Sequence, residues 1–392
     1  MIQLQERRQP KNFSLFNLGF RPFFLGGAIA SLIIITLWLV IYSRGMQPHY
    51  YSYGVFWHAH EMIFGFTLAI IGGFLLTAVR NWTNVQTLYS WPLAALFLLW
   101  LTARALPLFD TVPGLFIATA DLAFAPLLAI SVAWPIIRSK NYRNLLFIPL
   151  IAGFFIANLL IHLQLLKVTT ETADIGIQLG LFLVVMVITV LGGRVIPFFT
   201  ERGVAGVSCK KYGFIEKAIL PATALWVIVS LSGIEQIIAT LSLIIGCLNL
   251  VRVSGWFNTK VLNVPLVWIL QFGYLCIGFG FVLFGLSELG LVSRSIAYHA
   301  FAVGGIGGLT LGMMARVSLG HTGRQLETGP IIIAAFVLMV LSAIVRVAIG
   351  YLPIPYLAGL HLSGSLWVIA WSLFVFKYTP ILIKPRLDGV YG

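Results

Sequence analysis

Apolar runs of about twenty residues alternate with short polar connections along almost the whole chain. A helix of about twenty apolar residues covers the hydrocarbon core of a bilayer. The pattern therefore predicts spans near 22–42, 54–79, 88–107, 113–137, 144–166, 173–197, 215–232, 234–252, 261–286, 295–318, 329–349 and 355–377. Two closures are tight: Ser232-Gly233-Ile234-Glu235 between spans seven and eight, and Pro107 to Pro113 between spans three and four. The expected fold is all-α, a polytopic integral membrane protein of about twelve transmembrane helices. Residues 1–392 read as a single membrane domain. Leu18-Gly-Phe-Arg-Pro-Phe-Phe and Leu191-Gly-Gly-Arg-Val-Ile-Pro-Phe-Phe resemble each other, which raises a division into halves 1–200 and 201–392.

Composition supports the membrane reading. Of 392 residues, 59% are hydrophobic and only 9% charged, against about 25% charged in soluble domains. The N-terminal Met1 to Asn12 is polar and basic, and the first apolar run is long enough to span rather than be removed. The net charge of +13 does not point to nucleic acid, because the basic residues sit in short loops and at span ends. With the N-terminus inside, twenty of the twenty-five Lys and Arg residues fall on the inner side, among them Arg7, Arg8, Lys11, Arg80, Lys140, Lys210 and Arg386. Arg44, Arg104, Lys167, Arg294 and Arg346 fall outside. The positive-inside rule then places both termini in the cytoplasm. Cys209, Cys247 and Cys276 are far apart and have no metal-site spacing, so they read as packing residues.

The same topology sorts the histidines. His58 and His60 open span two, His162 closes span five, and His299 and His361 open spans ten and twelve. With His49 in a loop, six of the seven histidines are expected at the outer face, and His321 alone at the inner one. At 1.5 Å per residue the five within spans lie roughly 10 Å or less from the boundary. Imidazoles inside a bilayer usually bind or move something, so a buried metal or haem centre is the leading expectation. Glu61 is one turn from His58 and shares its face on a regular helix. Asn158 lies one turn before His162, and Arg104, Asp121 and Arg346 sit at similar depth. Histidine with carboxylate suits copper or non-haem iron, two opposed histidines can clamp a haem iron, and Arg104 or Arg346 can neutralise its propionates. The plainer alternative is an interfacial, hydrogen-bonded histidine and an Arg104–Asp121 ion pair. On a continuous helix His58 and His60 point about 200° apart; an extended start, left open by Tyr51-Ser52-Tyr53-Gly54, would put them on one side. The helix is the favoured reading.

Three inner-side segments also stand out: Phe16 to Phe24 around Arg21-Pro22, Gly192-Gly193-Arg194-Val195-Ile196-Pro197, and Ala315-Arg316-Val317-Ser318-Leu319-Gly320-His321-Thr322-Gly323-Arg324. Their arginines could hold an acidic headgroup, a propionate or a quinone carbonyl, or simply anchor and cap helices. Gly304, Gly308 and Gly312 recur every fourth residue, which suits close helix approach or a flat cofactor.

Gly19-Phe-Arg-Pro-Phe-Phe, Trp57-His-Ala-His-Glu-Met-Ile-Phe-Gly-Phe, Gly73-Phe-Leu-Leu-Thr-Ala-Val-Arg-Asn-Trp-Thr, Gly193-Arg-Val-Ile-Pro-Phe-Phe and Ala315-Arg-Val-Ser-Leu-Gly-His-Thr-Gly-Arg together resemble the bacterial NnrS family. One departure is Arg80, where the family pattern leads us to expect proline before Asn-Trp. The resemblance covers essentially the whole chain. It implies a multi-pass protein of the bacterial inner membrane that contains haem and copper and acts in nitric oxide metabolism, in denitrification or nitrosative-stress defence. Taken with the residues, it leads to these expectations. Haem b is held noncovalently, since no CxxCH motif exists. His58, His60, His299 and His361 are the metal-ligand candidates, with His162 beside them. Glu61 supplies protons for nitric oxide reduction, and quinol delivers electrons near Arg316 and His321. The alternatives are a twelve-span transporter with a histidine relay and a haem-based nitric oxide sensor without turnover.

Overall fold

A computed structural model describes residues 12–51 and 53–392. Arg7, Arg8, Lys11 and Ser52, used in the sequence reading, lie outside the described residues. Among the described residues the regular structure is all helix. Among the described residues eleven helices are long and apolar enough to cross a membrane: α1 Phe20–Arg44, α2 Gly54–Thr83, α3 Ser90–Leu108, α4 Gly114–Arg138, α5 Tyr142–Leu165 and α6 Thr172–Gly203 in the first part of the chain. After α7 come α8 Glu235–Ser254, α9 Pro265–Glu288, α10 Arg294–His321, α11 Pro330–Ala348 and α12 Tyr356–Ile383. The remaining helix, α7 Gly213–Val229, has 17 residues. Of the twelve expected spans, eleven are thus full-length helices and one is short. At 1.5 Å per residue α7 reaches roughly 25 Å, the lower limit for crossing. The chain is a multi-pass membrane protein, and large apolar side chains such as Ile33, Leu98, Ile130, Ile344 and Phe376 stay exposed on its surface, as a lipid-facing surface requires.

Helix ends follow local chemistry. Pro265 and Pro330 occupy first-turn positions, where the missing N–H costs nothing. Ser293 accepts a hydrogen bond from the Ser295 amide and starts α10. Asn84 ends α2 in the left-handed region, φ 53°.

Two compact units can be distinguished. Unit 1 takes the described residues up to Leu183, with Val317–Gln325 and Val375–Gly392. Unit 2 takes Val184–Arg316 and Leu326–Phe374. In unit 1, α1 packs on α2, and α4 on α3 and α5. The α1–α2 contact explains two motifs. A Cβ on Gly73 would lie 2.7 Å from the Phe23 Cβ, and one on Gly19 would lie 2.5 Å from the Leu76 Cβ. These glycines let the two backbones touch. Arg21 is fully buried and caps α12: its guanidinium donates to the carbonyls of Leu382 (2.7 Å), Lys384 (2.9 Å) and Gly392 (2.7 Å). Carbonyls at a helix C-terminus have no partner within their own helix, which is the physical reason for an arginine there. The Gly-His-Thr-Gly-Arg segment docks on the same tail, where Arg386 donates to the His321 carbonyl and the Leu387 amide to that of Thr322.

In unit 2, α9 packs on α8 and α10. Gly304, Gly308 and Gly312 all face α9, meeting Cys276, Gly273 with Phe272, and Ile269 with Leu270 respectively. The small-residue stripe is therefore filled by a helix, which decides between the two readings of it. Gly192 and Gly193 make room for Tyr274 and Arg252. Arg252 pairs with Glu216 and donates to the Tyr274 hydroxyl at 2.7 Å.

Candidate metal centre

The site is built around α2. This helix and α10 are the most buried spans, at 89% and 78% of their apolar windows, against 28% for α3. Both contain a widened π turn that begins directly after a histidine: Glu61–Thr67 follows His60, and Ala300–Gly307 follows His299. A π turn shifts every later side chain around the axis and often marks a functional position. In α2 the side chain of Thr67 ties into this turn, donating to the Met62 carbonyl five residues back at 2.7 Å.

Two helices bring polar groups to His60. His162 and Asn158 come from α5, and Asp121 comes from α4. The Nε2 atoms of His60 and His162 each lie 3.0 Å from Oδ2 of Asp121. Asn158 braces this point, donating from Nδ2 to the same Oδ2 at 2.9 Å while its Oδ1 lies 2.9 Å from His60 Nε2. The opposite ring nitrogens face tyrosines. Tyr51 Oη is 3.0 Å from His60 Nδ1, and Tyr50 Oη is 2.7 Å from His162 Nδ1. Tyr51 also donates to Oε1 of Glu61 at 2.9 Å. Arg104 of α3 spans the two carboxylates, donating to Glu61 Oε1 at 2.8 Å and pairing with Asp121 Oδ1. Gly65 lets it in, since a Cβ there would lie 2.8 Å from Glu61 Oε2 and 3.1 Å from Arg104 Nη1.

His60, Asp121 and His162 form the one group of potential metal ligands among the described residues, with one donor atom from each lying within 4.8 Å of the others. All three are buried. A small ion about 2 Å from each ligand atom needs those atoms about 3.3 Å apart, and each Nε2 lies 3.0 Å from Asp121 Oδ2. Charge points the same way. Glu61 and Asp121 carry two negative charges and Arg104 one positive, so one negative charge remains inside the membrane region. A proton or a metal ion must balance it. The tyrosines sit in the loop before α2. Burial, and then the Glu61 or Asp121 charge, pushes both phenols above their usual range, so they remain hydroxyls at neutral pH. A hydroxyl accepting from Nδ1–H leaves Nε2 as the ligand nitrogen. Tyr51 can do this while donating its own proton to Glu61.

Haem does not fit at this point. A macrocycle between the two imidazoles would need a flat gap, and Asp121, Asn158 and Arg104 fill that space with mutual hydrogen bonds.

The other residues singled out by sequence lie elsewhere. His58 is on the regular helical turn before His60, and its ring stacks on Trp38 at 4.5 Å and 12°. Glu61 is held beside His60 by Tyr51 and Arg104. His49 is an exposed loop residue. His299, Arg346, His361 and Arg316 belong to unit 2. His299 Nδ1 donates to the Ser295 carbonyl at 2.6 Å, which holds the tautomer whose Nε2 carries the lone pair. Arg346 donates to Ser295 Oγ at 3.3 Å, and His361 is half-buried on α12. Arg316 lies over the Phe199 ring at 4.1 Å. His321, in unit 1, lies against Phe20 with ring centroids 5.7 Å apart. Tyr50 was not singled out by sequence, and Tyr51 was noted only as part of a loop. The sequence signal was two adjacent tyrosines eight and seven residues before His58.

No curated protein matches the chain in a sequence search. The family model described as NnrS protein matches residues 14–386, nearly the whole length, and links the chain to nitric oxide metabolism. The chain belongs to the NnrS family.

Proposed function

We propose that the protein binds nitric oxide at a copper or iron ion held by His60, His162 and Asp121, and reduces it. The observation that carries this reading is the convergence of two imidazole Nε2 atoms on one carboxylate oxygen, with a tyrosine hydroxyl behind each ring. Two histidines and a carboxylate suit redox-active copper or iron, and the NnrS membership supplies the nitric oxide link. Nitric oxide is small and apolar and reaches a buried centre through lipid.

When bound, the ion supplies an open coordination position and accessible one-electron chemistry. The chain's own residues do the rest. Asn158 and the tyrosines hold the ligand rings in place. Arg104 keeps Glu61 and Asp121 apart and offsets their charge. Reduction of two nitric oxide molecules by two electrons and two protons gives nitrous oxide and water. Glu61, which accepts a hydrogen bond from Tyr51, is the carboxylate that takes up a proton and passes it on. The haem b expected from the family resemblance would lie outside this triad, and His299, whose Nδ1 is held by the Ser295 carbonyl, would be the residue to bind its iron. The protein resides in the bacterial inner membrane, where quinol is the reductant.

The test is metal analysis of purified protein with electron paramagnetic resonance before and after nitric oxide. The expected result is about one copper or iron per chain beyond haem iron, with a signal altered by nitric oxide. His60→Ala, His162→Ala and Asp121→Asn each lose that ion. Full metal retention in all three would overturn the assignment. Metal-free, folded protein that moves protons or cations would favour the transporter instead.

A further inference from the structure

Four helix ends meet in unit 1. Arg21 opens α1, Arg80 lies in the last turn of α2, His321 closes α10, and Arg386 follows α12. Arg386 donates to the His321 carbonyl at 3.0 Å, the Leu387 amide donates to the Thr322 carbonyl, and the His321 ring lies on Phe20. Arg21, Arg80 and Arg386 are near enough for their charges to act on the His321 ring, and Arg324 and Arg386 act in the same way on Arg21. Four guanidinium groups thus gather about one imidazole. Arg386 has a carboxylate partner in Asp388, reached by Nε at 2.9 Å and also by Nη2. Arg21 is spent on backbone oxygens. Arg324 differs: among the described residues its side chain makes one long hydrogen bond, 3.3 Å from Nη1 to the Thr322 carbonyl. Partial burial alone draws it below the usual arginine range, whereas Asp388 raises Arg386. The group is open to a ligand. Arg80, His321, Arg324 and Arg386 are each half-buried, and neither the ring nitrogens of His321 nor Nε and Nη2 of Arg324 are sealed from the surface.

A half-buried cation without an anion is unfavourable, and depth says which anion is at hand. These are the ends of membrane-crossing helices, the level at which lipid phosphates lie. The tail that carries Arg386 also exposes Leu387 and Val390, at 70% and 56%. Apolar side chains beside a basic cluster suit a ligand with a charged head and a hydrocarbon body. Arginine presents paired N–H groups that match phosphate oxygens two at a time. We propose that Arg80, His321, Arg324 and Arg386 bind the phosphate of an anionic phospholipid, whose glycerol and upper acyl chains lie against Leu387 and Val390. Arg324 and the His321 N–H donate to the phosphate oxygens, and the other two arginines add to the field. Inorganic phosphate shares the charge chemistry but has nothing for the two apolar side chains. The bound headgroup ties together the ends of α2, α10 and α12. This site is separate from the metal centre and does not rest on the function proposed above.

The experiment is native mass spectrometry of full-length, delipidated protein in detergent, titrated with dioleoylphosphatidylglycerol, dioleoylphosphatidylcholine and dioleoylglycerol. Phosphatidylglycerol should bind about tenfold more tightly than phosphatidylcholine, whose choline cation opposes the arginines, and dioleoylglycerol should not be retained. Arg324→Gln should weaken phosphatidylglycerol about tenfold, the worth of one charge-assisted hydrogen bond. Lys140→Gln removes an exposed charge elsewhere in unit 1 and should change nothing. Leu387→Ser with Val390→Ser should weaken both phospholipids and keep the preference between them. Because the lipid comparison uses unaltered protein, it stands even if a variant fails to fold. Equal affinity for the two phospholipids, or an equal loss in Lys140→Gln and Arg324→Gln, would overturn the site. Inorganic phosphate that binds as tightly as the lipid would overturn the lipid assignment and leave a free-anion site. Repeating the titration on His60→Ala keeps the two hypotheses separate: an unchanged lipid preference without the metal means that this site stands whatever happens at the metal centre.

Discussion

Each residue of the candidate centre depends on a neighbour that keeps it placed. Gly65 is the most exacting case, because a methyl group there would meet both Glu61 and Arg104. Gly65→Ala should displace Arg104, leave two buried carboxylates unbalanced and destabilise the protein by about 1–3 kcal/mol. Thermal unfolding in detergent reads this, and bound metal should fall with it. His58→Ala should leave the metal content unchanged, since His58 stacks on Trp38 rather than joining the ligand set; a proportionate loss of metal would contradict the assignment. Glu61→Gln keeps an acceptor for Tyr51 but holds no exchangeable carboxyl proton. It should slow nitric oxide consumption more than it weakens nitric oxide binding, measured by turnover against an equilibrium titration.

At the scale of helices, glycines and arginines act in pairs. Gly193 on α6 gives Arg252 of α8 its space, and an ideal Cβ there would fall 1.7 Å from Nη2. Gly193→Ala cannot be accommodated without moving Arg252 from Glu216 and Tyr274, and leaving the buried arginine without them costs about 1–3 kcal/mol. A large drop in melting temperature is expected, whereas Gly213→Ala, with nothing near its Cβ, should be close to neutral. Arg21 acts between elements, satisfying the carbonyls that end α12. Arg21→Ala should loosen the tail after Ile383, seen as faster hydrogen exchange from Lys384 onward while the rest of the protein keeps its protection.

The whole molecule turns on α7. If its 17 residues cross the membrane, the chain makes twelve passes and both ends share a side. A cytoplasm-active reporter fused at Lys140, Lys210 or Gly392 should then be active, and one fused at Gln47 or Glu171 silent. Activity at Lys210 with silence at Gly392 would show that α7 lies short of a full crossing. The segments containing His60 and His162 precede α7, so the candidate centre is unaffected by that outcome, whereas the predicted side of His299 and His361 would reverse.

The sequence by itself determined the spans. Hydrocarbon imposes its requirement locally, residue by residue, so a count of apolar positions locates each helix to within a few residues. The two largest departures are C-terminal ends, where α6 runs on through Pro197 to Gly203 and α12 to Ile383, because a helix can continue into water once it has crossed. Sequence also drew notice to His60, His162, Glu61, Arg104, Asp121 and Asn158 as residues of similar depth. Only tertiary structure decided which of them meet. Depth is a property of one helix, whereas facing depends on rotation about its axis, and the π turn after His60 alters that rotation without a sequence mark. The tyrosines behind the rings come from a loop that no periodicity constrains.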